Sequence, residues 1–114
     1  MNVMNNKELI NINGGANIPA LINTNIDQAI VSYDKIKNHL GIHFNKYETK
    51  NHIGQLVVLK THSWNNGDTY YLGIIKKSYE KDAYWFWSNR TIDIKALNGK
   101  DDEVSNPSDC WLYV

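Results

Sequence analysis

From residue 53 to the end of the chain, runs of β-branched and aromatic residues alternate with clusters of turn formers. Segments this short, punctuated this often, pair as antiparallel strands and leave no room for long helices. Residues 56–61 (Leu-Val-Val-Leu-Lys-Thr) predict a first strand. Residues 65–68 (Asn-Asn-Gly-Asp) predict a tight turn, and 69–76 a second strand with Gly73 at a bend or bulge. Residues 79–82 (Tyr-Glu-Lys-Asp) predict a polar turn, 83–88 (Ala-Tyr-Trp-Phe-Trp-Ser) a third strand, and 91–97 a fourth. Residues 98–109 predict a long acidic loop holding Pro107, and 110–114 a short final strand.

Before this β-rich part, the period is helical. Ile26, Ala29, Ile30, Tyr33, Ile36 and Leu40 form one apolar stripe, which predicts an amphipathic helix over 26–40. Asn25 would be its N-cap, with Gln28 three residues on, and Gly41 its stop. The expected fold class is therefore α+β: one N-terminal helix followed by a small antiparallel five-stranded sheet or barrel. The domain is expected to span 26–114, preceded by a flexible connection at 16–25 that contains Pro19.

The strand run over roughly 53–114 resembles a Src-homology-3-like barrel. Gly54-Gln55-Leu56-Val57-Val58 would open it, a hairpin would lead into Tyr71-Leu72-Gly73-Ile74-Ile75, and a short strand would end it. The resemblance rests on pattern and not on a diagnostic motif.

With 114 residues the chain suffices for one small domain. The 12 basic and 12 acidic residues cancel, which argues against nucleic acid or anionic lipid as partner. No window holds the roughly 18 apolar residues of a membrane span, so stable membrane insertion is not expected. The single cysteine, Cys110, excludes an intramolecular disulfide and a Cys-rich zinc site; it is expected to be a buried apolar side chain beside Trp111. His39, His43, His52 and His62 match no metal-ligand spacing, and the acidic run Asp101-Asp102-Glu103 lacks the spacing of a calcium loop. Cys110 with His62 or His52 is a formal nucleophile–base pair without a supporting motif, so no catalysis, metal or cofactor is expected.

Aromatic residues crowd the second half. Alternation along 84–87 would put Trp85 and Trp87 on one face and Tyr84 and Phe86 on the other. A small barrel buries only one face fully, so some rings are expected at the surface, where they can stack on sugars or pack on a partner. Trp64, Tyr71, Trp85 and Trp87 form the expected binding face.

The N-terminus carries the most specific pattern: Glu8-Leu9, then Ile12, then Gly14-Gly15, with Met4 upstream. It resembles the double-glycine leader of bacteriocins and peptide pheromones of Gram-positive bacteria. Asn5 departs from the Ser or Thr often found in that family. The resemblance implies that residues 1–15 are an address read by a peptidase-containing ABC transporter. Met4, Leu9 and Ile12 would line one helix stripe for a groove on the peptidase, and the glycine pair would thread its cleft. It also implies cleavage after Gly15, secretion of an antibacterial or intercellular protein, a cell-surface target and an immunity protein. The segment has no basic start, unbroken apolar core or small-residue cleavage box, so it is not a general secretory signal. The competing expectation is an intracellular or phage-encoded interaction domain whose N-terminus matches a leader by chance.

Overall fold

The computed structural model describes residues 29–84 and 87–114, with side chains described outside 82–88. The expected leader, the connection and the proposed Asn25 cap lie outside the described residues. Seven strands form one antiparallel sheet: β1 (Ile30–Val31), β2 (Leu40–Phe44), β3 (Leu56–Ser63), β4 (Gly67–Tyr84), β5 (Trp87–Ala96), β6 (Asp101–Ser105) and β7 (Asp109–Tyr113). The order is β2-β7-β3-β4-β5-β6, with β1 added beside β4. Two short helices complete the described residues: α1 (Tyr33–Ile36) and a 3-10 helix (Lys46–His52). The described residues are mostly β.

The helix expected over 26–40 is not continuous where it can be followed. Ile30 and Val31 pair with Tyr71 and Tyr70, helix is confined to Tyr33–Ile36, and Leu40 already opens β2. The reason is the edge of β4. Ladder partners on β5 stop at Gly73, so the earlier part of β4 would leave backbone groups unpaired. β1 supplies partners, and the Leu72 amide donates to the Ala29 carbonyl at 3.0 Å. Those bonds outweigh the local helical pattern. Ser32 caps the remaining turn by accepting from the Asp34 amide. Gly41, expected as a helix stop, lies within β2, where an added Cβ would meet Val114 Cγ1 at 2.7 Å.

β4 is long because it serves two ladders. Gly67–Ile74 pairs with β3, and Gly73–Tyr84 pairs with β5. No turn forms at 79–82; Glu80 faces Arg90 and Lys81 faces Asn89 across the ladder, so these polar side chains form cross-strand pairs. Tyr84 instead ends β4 and pairs with Trp87, the first residue of β5. The aromatic segment 84–87 is therefore not one strand. The expected loop over 98–109 contains β6, whose Val104 is buried opposite Ile92.

Gly73 is required for a close approach rather than a bulge: a Cβ there would sit 2.8 Å from the Lys95 carbonyl. The register shift falls between Ile75 and Lys77. Because Lys76 is the extra residue, Ile75 and Ser78 can both point inward although they are three apart. Ser78 there hydrogen-bonds to the buried Thr49 hydroxyl at 2.6 Å. At the β3–β4 connection, Ser63 pairs with Gly67, whose φ is +71°. An L side chain resists that region, so Gly67→Ala should cost about 1 kcal/mol of stability, read as a lower urea midpoint.

Both faces of β3 are buried over Leu56 to Leu59. Val57 and Leu59 join Phe44, Ile75, Ile92, Ile94, Val104 and Cys110 in an inner cluster. Leu56 and Val58 join Ile36, Leu72, Leu97 and Tyr113 in an outer one, beneath α1. No helix among the described residues is long and apolar enough to cross a membrane.

Candidate functional site

The outer face changes character along its length. At the end under α1 it is apolar. Toward the β3–β4 turn, the same alternating positions carry Lys60 and His62 on β3, Asp68 and Tyr70 on β4, and Asp109 and Trp111 on β7. Residues that pair across a ladder share a face, so these six point the same way. Register places Tyr70 and Asp109 on either side of Lys60, and Asp68 opposite His62.

The polar groups form a chain of hydrogen bonds and ion pairs across the sheet. His43 Nε2 donates to Asp109 Oδ1 at 2.8 Å. Lys60 Nζ lies 3.4 Å from Asp109 Oδ2 and 3.9 Å from Asp68 Oδ2. His62 Nδ1 donates to Asp68 Oδ1 at 2.8 Å. Partial burial alone would lower the pKa of the Lys60 ammonium. The hydrogen bond to Asp109 and the fields of both carboxylates outweigh that and raise it. Asp109 is held below its ordinary value by the His43 hydrogen bond first and by Lys60 second.

A depressed carboxylate pKa stabilises the fold above the unfolded value and loses that contribution as pH falls through the folded one. Replacing Asp109 with Asn should therefore lower the urea midpoint at neutral pH. The gap from the unsubstituted protein should close as the pH drops below 3.8, the ordinary value for this group. A gap independent of pH would mean that packing, not charge, is what the substitution removes.

Aromatic rings flank this polar row. The Tyr33 and Tyr70 rings lie 5.1 Å apart, and the His43 and Trp111 rings 5.5 Å apart. Tyr33 is 46% exposed, and Tyr70 and Trp111 are half-buried. Trp64, in the connection after β3, is 98% exposed.

The expected binding-face residues fall in different places. Trp64 is fully at the surface. Tyr71 pairs with Leu59 and packs on the inner cluster, on the face opposite Tyr70. Trp87 takes part in β5, but its side chain, like Trp85 as a whole, lies outside the described residues. Tyr70 and Trp111 are the rings that sequence reasoning did not place on this face. The signal was present in the hairpin register: pairing Ser63 with Gly67 forces Tyr70 opposite Lys60, and Lys60 must face outward.

Cys110 is fully buried in the inner cluster, and removal from water pushes its thiol up to about 12. His62 belongs to the outer face and bonds to Asp68, while His52 stacks on Phe44 at 4.1 Å. The acidic run is split by strand alternation. Asp102 accepts from the Ala29 amide, whereas Asp101 pairs with Lys76 at 3.0 Å and Glu103 with Lys81 at 3.6 Å. Tyr79 donates to Glu103 at 3.0 Å; desolvation and this bond push its phenol up to about 12. Among the described residues, no three His, Cys, Asp or Glu side chains are gathered as a metal ion would need.

No family model matches the chain, and no curated protein or solved structure shows significant similarity to it.

Proposed function

We propose that this is an exported, bacteriocin-like protein that acts by binding a target on another cell's surface. A peptidase-containing ABC transporter reads Met4, Glu8, Leu9 and Ile12, cuts after Gly14-Gly15 and releases the remainder. The observation that carries this reading is the spacing of those six residues. The order β7-β3-β4-β5-β6, in which the last strand returns beside the first of a meander, supports the Src-homology-3-like barrel as the architecture of residues 53–114.

Binding falls to the outer face and the Trp64 connection. A tryptophan left 98% exposed contributes little to the fold and is well placed as an anchor, since interface energy concentrates in such residues. Trp64→Ala should shift stability by no more than about 0.5 kcal/mol while weakening attachment to target cells. A large loss of stability would assign the ring to the fold instead.

The direct test is the intact mass of the protein in culture supernatant and in lysate of its native host. A secreted species beginning at Ala16 is expected. A full-length species confined to the cells would overturn the export reading.

A further inference from the structure

The outer face also constrains what it can bind. We infer that it takes a neutral, polyhydroxylated glycan, with Tyr70 and Trp111 as ring platforms on the two strands that flank Lys60. The inference rests on reading this face as the binding surface.

Three observations converge. The first is the spacing of the rings. Tyr70 stands on β4 opposite Lys60 and Trp111 on β7 opposite Val58, so they are two strand widths apart, about 10 Å across the sheet, and offset by two residues along it. Tyr33, beside Tyr70, extends one platform. Separated platforms of this kind seat successive sugar rings, whose C–H faces pack on aromatic π-systems while their hydroxyls point sideways.

The second is the polar row that runs beside the platforms. Lys60 supplies donors; the Asp68 and Asp109 carboxylates supply acceptors; His43 and His62 are 55% and 62% exposed at the side chain. A polyol both donates and accepts, so it can satisfy such a row as water leaves. An apolar peptide surface cannot, and covering these ions with one would impose an uncompensated desolvation penalty.

The third is charge. Lys60 is flanked by two carboxylates, so the face presents no cationic surplus, and the whole chain is formally neutral. A nucleic acid or an anionic wall polymer would meet Asp68 and Asp109 without enough cations to offset them. A neutral glycan is the surface polymer that fits all three features.

The test uses the purified full chain, titrated calorimetrically with oligosaccharides of N-acetylglucosamine, a soluble β-glucan and a soluble mannan, with heparin as the polyanion. Binding of at least one neutral glycan is expected, and it should persist when the salt is raised severalfold. Tyr70→Ala and Trp111→Ala should each weaken it about tenfold or more. Tyr70→Phe and Trp111→Phe, which keep a ring, should retain most of it, which separates loss of a platform from loss of fold. Failure of every neutral glycan to bind would overturn the inference. So would tighter binding of heparin, or alanine variants that bind as well as the unsubstituted chain. The mass measurement answers separately for export: a secreted Ala16 species that ignores all three glycans would sink this inference and leave the export reading standing.

Discussion

Leu59→Ala is expected to lower the unfolding free energy by about 3 kcal/mol, within the range of about 2–5 kcal/mol for emptying a buried leucine site. Leu59 is fully buried. It lies on the central strand β3, opposite Tyr71 of β4 and Cys110 of β7, and packs into the inner cluster with Ile75, Ile92 and Ile94. Strand backbones on both sides limit how far the site can collapse, so the lost methyls leave a cavity as well as a lost transfer term. For a domain whose whole stability is on the order of 5–10 kcal/mol, this is a large fraction. Urea unfolding should show a lower midpoint with an unchanged slope. Ile42→Ala, at a position 68% exposed, should change stability by less than about 0.5 kcal/mol. If the two variants behaved alike, Leu59 would not be part of a close-packed core.

What was legible in the sequence follows from where the stabilising interactions lie. Strand β3 stands out because Leu56, Val57, Val58 and Leu59 are four consecutive apolar residues buried on both faces, and Asn65-Asn66-Gly67 marks its end. Strand β6 does not, because Val104 is its only fully buried residue; its strand character comes from register with β5, a non-local fact. The same holds at 79–82, where a polar run that reads as a turn stays extended through pairing with 89–91. The apolar stripe at Ile30, Tyr33 and Ile36 is present in the sequence, but hydrogen bonds to β4 take Ile30 out of it and into a strand. One cap was readable and missed: Asn45 and Glu48 form a reciprocal capping box that starts the 3-10 helix. The polar row of the outer face was the least legible, since His43, Lys60, Asp68 and Asp109 come from four strands and meet only through sheet order.

Gly14→Asp combined with Gly15→Asp is expected to reduce the secreted species to background and leave the full-length chain inside the cell. On the proposed export reading, the peptidase holds extended backbone in a cleft narrow enough to demand two residues without side chains. Each aspartate adds a Cβ that restricts φ and a carboxylate that has to be desolvated to enter. On the proposed export reading, recognition upstream is a separate step carried by Met4, Leu9 and Ile12, so the variant should still dock without being cut. A charge at Leu9, by contrast, should prevent docking itself. On the proposed reading, both changes fall in the address segment and not in the domain expected over 26–114. The thermal midpoint of the purified variant should therefore equal that of the unsubstituted protein, and this equality distinguishes a block in processing from misfolding. Continued secretion of a species beginning at Ala16 would show that the glycine pair is not the cleavage signal and would turn the first fifteen residues into an ordinary N-terminal extension.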